Sequence, residues 1–328
     1  MNAQKIFGVL AKYFENPEIH EIIVDAPDDV YWEEKGQIKE SASVFKDASE
    51  IEAVITSIFA SVGRKFEDLN GYGDCRLEDG TRVAAVLAPL SIKGPALVIR
   101  KMPSHHVSFD DLKTWKAIDE DGEKIISKLL LKGKNILMAG NTGSGKTTMT
   151  NVMVGAMDPA WRLVTVEKTA ELHVDRKRAV CLETEHASQE ELSELIKKSA
   201  HLRGDYIVIN ELLGAEAFEA VKLMRDGPSI LATIPAESAS GALSRVELLC
   251  MMGQYGLGIS EVRSMVGSSV EAVVYQERRE DGTRKVSHIA LVEGLDHNGK
   301  YNLKPLFTFD EEDSSFNLTN AGKKFLAS

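Results

Sequence analysis

The sequence predicts an α/β protein whose central part is a parallel sheet covered by helices on both faces. A separate α+β unit precedes it, and antiparallel hairpins close it. Three observations carry this expectation. Residues 140–147 read G-N-T-G-S-G-K-T, a phosphate-binding loop that needs a strand before it and a helix after it. From Glu123 onward, apolar runs of strand length alternate with helical patterns. After residue 270 the pattern changes to alternating strands joined at Asp281-Gly282 and Asn298-Gly299, both hairpin turn signals.

The boundaries read from the sequence are an N-terminal α+β domain over 1–115, a linker over 116–124, and the phosphate-loop domain with its hairpins over 125–328. In the first domain, helical patterning over 6–14 leads to the extended run Glu21-Ile-Ile-Val-Asp25, with turns at 26–29 and at Lys35-Gly36. Ser49 opens a helix that holds Ile51, Val54, Ile55, Ile58 and Phe59 on one face. Strand material follows at 74–77, 82–87 and 96–99, with a hairpin turn at Asp79-Gly80. Residues 103–122 are polar and mixed, and read as connecting chain.

In the second domain, Asn135-Ile-Leu-Met-Ala139 is the buried strand that the phosphate loop requires. The helix after it keeps Met149, Val152, Met153 and Ala156 on one face, and aims its N-terminal partial positive charge at the loop. Strands at 162–166, 206–210 and 229–233 follow. They alternate with a helix opened by the capping pattern Ser188-x-x-Glu191, a helix over 215–225, and a helical region over 239–266.

The loop predicts binding of a nucleoside triphosphate. Gly140, Asn141, Thr142, Gly143, Ser144 and Gly145 present backbone N–H groups, Lys146 reaches the outer phosphates, and the hydroxyl of Thr147, followed by Thr148, serves Mg²⁺. Phosphoryl transfer also needs a held metal ion, an oriented water and positive charge on the phosphate that moves. Glu211 ends an apolar strand, the place from which an acidic residue reaches metal or water; the bland alternative is that it caps the next helix. Glu167 follows another strand and Glu171 lies four residues on, a pair that suits Mg²⁺ or, equally, a solvated helix start. Arg82 and Arg100 sit on strands of the first domain, spaced to emerge at one edge. His105-His106 has no metal-ligand spacing around it.

Composition excludes several classes. Hydrophobic residues make 43% and charged residues 27%, an ordinary globular balance, and the net charge of −11 argues against a nucleic-acid binder. No apolar run reaches membrane-span length, the start carries no secretion signal, and Cys75, Cys181 and Cys250 are isolated. The expectation is a cytoplasmic protein that meets a membrane only peripherally, through partners.

The co-linear set of motifs resembles the secretion ATPases of the type II/type IV superfamily, most closely the CpaF-like ATPases of tight-adherence (Tad) pilus assembly. The blocks are 21–28, 80–86, 93–101, the loop at 140–147, Thr165-Val-Glu-Lys-Thr-Ala-Glu-Leu172, 182–184, Asn210-Glu211, 242–247 and 281–289. The resemblance implies a RecA-like ATPase domain and a PAS-like N-terminal domain folded over the nucleotide. It further implies a homo-oligomeric ring of six, and an inner-membrane platform protein as partner. It assigns Lys146 and Thr147 to phosphate and Mg²⁺, Glu167 to the acidic box that serves the metal and the chemistry, and Glu211 to activation of water. Arg82 and Arg100 become phosphate contacts, and Arg203 and Arg245 match further family arginines.

The departures are specific. Lys168 stands where the family's acidic box has a second acid, Leu213 where the Walker B segment has arginine, and Thr233-Ile-Pro-Ala-Glu-Ser238 where it has a histidine box. Asp226-Gly227 stands where the family has a Gly-His step, so that histidine is missing, and His201 replaces a family arginine. Each loss removes charge or hydrogen bonding from a developing negative centre, worth about 3–4 kcal/mol of barrier per group. Three readings stay open: an ATP-hydrolysing pilus or secretion motor of weakened turnover, a nucleotide-binding ring component that has lost catalysis, or a conjugation or type IV secretion ATPase of the same chemistry.

Overall fold

A computed structural model describes residues 2–34, 37–41, 44–66, 70–101, 107–184, 188–253 and 255–328. The expected turn at Lys35-Gly36 and the His105-His106 pair lie outside the described residues. The chain divides into two compact units, 1–105 and 106–328.

The first unit is a six-stranded antiparallel sheet of order β3-β2-β1-β6-β5-β4. Its elements are α1 (Ala3–Phe7), α2 (Ala11–Phe14), β1 (Ile19–Ala26), β2 (Asp29–Glu34), β3 (Gln37–Ser41), α3 (Ala48–Ser61), β4 (Tyr72–Arg76), β5 (Arg82–Val86) and β6 (Ala96–Arg100). Helix α3 buries Ile51, Val54, Ile55, Ile58 and Phe59, the face its periodicity predicts. Its cap is Asp47 rather than Ser49: the Asp47 carboxylate accepts the Glu50 N–H at 3.1 Å and the Ser49 hydroxyl at 2.6 Å. An ionised acceptor beside the helix N-terminus outcompetes a hydroxyl two residues too late.

The second unit holds a nine-stranded sheet of order β15-β14-β13-β12-β7-β11-β10-β8-β9. The strands are β7 (Ile136–Gly140), β8 (Leu163–Glu167), β9 (Ala179–Glu183), β10 (Tyr206–Asn210), β11 (Ser229–Pro235), β12 (Ala272–Arg278), β13 (Arg284–Leu295), β14 (Tyr301–Asp310) and β15 (Ser315–Leu318). Every pairing from β12 across β7 to β9 is parallel, and β12 to β15 form the antiparallel hairpins. Strands β7, β8 and β10 are buried over their whole length, because helices cover both faces. Alternate residues separate two cores. Leu137, Ala139, Val164, Val166, Ile207 and Ile209 pack with α7 (Gln189–Ser199), α8 (Glu216–Asp226), α9 (Ala239–Met252) and α10 (Ile259–Ser269). Ile136, Met138, Leu163, Tyr206 and Val208 pack with α4 (Phe109–Thr114), α5 (Glu120–Leu131), α6 (Lys146–Ala156) and α11 (Asn320–Ala327).

The unit boundary falls ten residues before the expected 115, and 116–124 is not a free connector. Phe109, Leu112, Ala117 and Ile118 are buried in the second core, and Ser108 closes a capping box with Asp111 over α4. Asp119 then caps α5 by accepting the Gly122 N–H at 2.9 Å. In α6, Val154 is buried while Ala156 is exposed, so the inward face runs slightly off the predicted one.

Candidate functional site: the phosphate loop and the strand ends around it

Sheet topology puts the ends of β7, β8, β10 and β11 side by side, and the candidate residues sit on those ends. In register, Asn210 lies beside Glu167 and Pro235 beside Gly140. This is the carboxyl edge of a parallel sheet, where open α/β folds build their sites.

The loop takes its shape from glycine. Gly143 has φ +75° and Gly145 φ +90°, a left-handed conformation that side-chain-bearing residues rarely adopt. Gly140 admits no Cβ: one built there would lie 2.1 Å from the Gln276 carbonyl oxygen and 2.4 Å from Ser144 Oγ. Gly145 caps α6, so the unpaired N–H groups and positive end of that helix face the bend. Asn141, Thr142 and Gly143 are exposed, Ser144 is buried, and Thr148 is half-buried on the first turn of α6.

Lys146 and Glu211 meet directly. Lys146 Nζ stands 3.2 Å from Glu211 Oε1 and donates to the Asn141 carbonyl at 3.4 Å. The loop lysine is therefore neutralised by the carboxylate at the end of β10, in a spot where the lysine side chain is 11% exposed and the glutamate 31%.

Glu167 is 1% exposed, and burial pushes its carboxyl above the usual range, opposed by the hydrogen bonds it receives. Its Oε1 accepts the N–H groups of Glu171 (2.8 Å) and Leu172 (3.0 Å) and the Asn210 side-chain amide (3.2 Å). Asn210 in turn accepts the Thr233 hydroxyl at 2.9 Å. The segment after β8 is held from its other side too: Thr184 donates its N–H to the Glu167 carbonyl and its hydroxyl to the Lys168 carbonyl, and Ala170 N–H donates to Glu183. This scaffold delivers Glu171 to the loop, where its carboxylate accepts the Thr147 hydroxyl at 3.3 Å. Glu167, expected at the metal, is an anchor of that segment, and Glu171 is the acid that stands at Thr147.

Thr147, Lys146, Glu171 and Glu211 are thus brought together, with Glu167 one layer behind. Arg82 and Arg100 are cross-strand neighbours on β5 and β6, continuing from Arg76 on β4 to Glu21 on β1 as one row in the first unit. The replaced positions are placed as well. Pro235 flanks Gly140, and the Ala236 N–H after it donates to the Gly140 carbonyl at 3.1 Å. Beside Leu213, the backbone N–H groups of Leu213 and Gly214 are both taken by buried Glu216, at 2.6 and 2.8 Å.

Sequence reasoning missed the contribution of β12 and β13. The Gln276 side chain donates to the Ser144 carbonyl at 2.7 Å, Arg284 Nε to the Gly143 carbonyl at 3.0 Å, and the Arg278 N–H to the Asn141 side chain at 3.3 Å. The available signal was a glutamine closing the apolar run Ala272-Val-Val-Tyr275, since a buried amide donor calls for an acceptor.

With this geometry in view, the comparisons decide the family. Residues 3–283 match the Type II/IV secretion system protein family. The chain belongs to that family. A putative conjugal transfer protein of Mycobacterium tuberculosis is 26% identical over 297 residues, covering 87% of this chain and 84% of that one. The conjugal transfer protein TrbB of Rhizobium radiobacter is 31% identical over 223 residues, covering 67% of each. The type IV secretion system protein PtlH of Bordetella pertussis is 35% identical over 175 residues, covering 50% of this chain and 51% of that one. Among solved structures, the pilus retraction motor PilT with bound ADP superposes with a TM-score of 0.66 at 16% identity, over 90% of this chain and 84% of its own. The ATPase DotB of Legionella pneumophila superposes with a TM-score of 0.62 at 14% identity, over 88% and 80%. The fold is that of these ATPases, with a RecA-like sheet in the second unit.

Proposed function

We propose that this secretion-family protein is an ATP-binding and ATP-hydrolysing motor, working as a homomeric ring of six at the cytoplasmic base of a pilus-assembly or secretion machine and touching the membrane only through an inner-membrane platform protein. The observation that carries the reading is the Lys146–Glu211 pair at 3.2 Å beside a glycine-shaped loop. A carboxylate so placed is poised to take a proton from water, and the lysine to meet phosphate charge. A polyphosphate entering the loop competes with Glu211 for Lys146 and turns that carboxylate out as a free base.

The oxygen donors at the loop mouth suit Mg²⁺, which takes oxygen ligands almost exclusively. The Thr147 hydroxyl already meets the Glu171 carboxylate, and these two groups would hold the ion. Bound there, the ion neutralises phosphate charge. Glu167 acts behind it, keeping Glu171 in place through the backbone. Arg82 and Arg100 enter this reading as the positive charge offered by the first unit to phosphate.

Pro235 donates no side-chain hydrogen bond and Leu213 carries no charge, so turnover is slower than in a relative with a full set of motifs. The second reading, a ring component that binds nucleotide without cleaving it, is favoured by those positions and the other departures from the family motifs. The motif blocks point to a tight-adherence pilus, while the named relatives point to conjugation or type IV secretion. Co-purification with one platform protein rather than another separates them. The test of the motor is steady-state ATP turnover across protein concentrations, read beside mass in solution. Turnover per chain that rises with a six-chain species supports it; ATP binding and ring assembly without phosphate release favour the second reading.

A further inference from the structure

The phosphate loop is held from outside by residues to which no nucleotide role has been assigned. Four ties run along it. The Gly140 carbonyl accepts from Ala236, the Asn141 side chain from Arg278, the Gly143 carbonyl from Arg284 Nε, and the Ser144 carbonyl from Gln276 Nε2. Three of the four come from β12 and β13, whose facing residues Arg278 and Arg284 are register partners. Gln276 is 2% exposed, so its bond to Ser144 is made away from competing water.

The ties fall on carbonyl oxygens at Gly140, Gly143 and Ser144. A peptide plane whose oxygen is fixed on one side has the next N–H fixed toward the other. Holding the Gly143 and Ser144 oxygens against the hairpin therefore fixes the N–H groups of Ser144 and Gly145, two members of the cradle. The packing leaves little slack: a Cβ on Gly145 would lie 3.0 Å from Gln276 Nε2 and 3.1 Å from Arg284 Cδ.

We propose that Gln276 and Arg284 are positioning residues for nucleotide binding, and that the β12–β13 hairpin is a brace that shapes the phosphate cradle before the nucleotide arrives. The inference rests on the nucleotide reading above and adds residues outside its machinery. A preformed cradle saves the cost of ordering a glycine-rich loop at the moment of binding, and a ligand meets the saving as affinity. Because the brace acts on the loop rather than on the terminal phosphate, it serves ADP and ATP alike. Its loss raises KM and leaves kcat alone.

The test uses the full chain with Gln276→Met, which keeps length and removes the donor, and with Arg284→Met and Arg284→Lys on the exposed side of the hairpin. Glu280→Gln, on the exposed turn between the two strands, is the control. Amide hydrogen exchange of residues 141–147 is read first, without nucleotide, followed by ADP binding and steady-state turnover. The expected result is faster exchange in the loop for both methionine variants and unchanged exchange in the control. The ADP Kd and the ATP KM rise about tenfold for Gln276→Met, the worth of one buried hydrogen bond. The rise is smaller for Arg284→Met, and Arg284→Lys, which keeps a donor, lies between it and wild type. Loop exchange and ADP affinity unchanged in both methionine variants overturn the brace. So does a fall in kcat at unchanged KM, which would place these residues in the chemistry. Wild-type protein that binds no ADP overturns the nucleotide reading instead, and the exchange measurement still decides the brace.

Discussion

Glu211 and Glu167 show how two carboxylates at the ends of neighbouring strands come to different work. Glu211 stands at the loop mouth against Lys146, where water reaches it; Glu167 is sealed under the segment it anchors. Replacing Glu211 by Gln removes the proposed base and also the ion-pair partner of Lys146. Phosphate release is expected to fall by at least about a hundredfold, the lower range for a general base, while ADP binds as tightly as to wild type or more so. Glu167 makes the opposite prediction, through stability. Its carboxyl is raised by burial, so the folded state favours the neutral form. That preference is fully present below the ordinary carboxylate pKa and is lost as pH climbs through the raised value, leaving an ionised group that burial penalises. Glu167→Gln keeps the acceptor oxygen and carries no charge. Its melting temperature should gain on wild type as pH rises from about 4.5 to 8, by thermal melts across that window. A constant difference would show that burial of the charge is not what the site costs.

Elements place these residues, and much of their placement was readable. The loop sequence demanded a strand before it and a helix after it, and β7 and α6 flank it. Glu211 was located from the apolar run that became β10. What escaped was of two kinds. Short elements with few apolar residues give too weak a periodicity: α4 has six residues and falls within the stretch read as connecting chain, and β9, half-exposed on the sheet edge, matches no expected strand. The capping box at Ser108 was the readable clue to α4. Distances between remote segments were the other kind. No spacing in the sequence puts Gln276 beside Ser144, 132 residues away, or Thr184 against the carbonyl of Lys168. The segment after β8 depends on that last contact. Thr184→Val removes a hydroxyl from a 7%-exposed position and should loosen residues 168–172, at about 1 kcal/mol of stability. Denaturant unfolding reads the stability, and turnover should fall with it because Glu171 loses its fixed approach to Thr147.

At the scale of the molecule, the three buried clusters divide cleanly: one draws only on residues 7–99, and the other two only on residues from Phe109 onward. Each unit has the core of an independent domain. A fragment of residues 107–328 is therefore expected to fold, to melt cooperatively and to bind ADP. In the proposed motor it lacks Arg82 and Arg100, so its ATP turnover should be well below that of the full chain. A fragment that hydrolyses ATP at the full-chain rate would remove those arginines from the mechanism. The resemblance of the motif blocks identified the family because the blocks are co-linear over both units, which a phosphate loop alone does not achieve. The family match over residues 3–283 rests on that same extent. The central claim is that Glu211, facing Lys146 across the loop, activates the water that cleaves ATP, and single-turnover phosphate release measured beside nucleotide binding tests it most directly. The account predicts Mg²⁺-dependent release by wild type, and release at least about a hundredfold slower by a Glu211→Gln variant that still holds ATP. Release at the wild-type rate from that variant would contradict it.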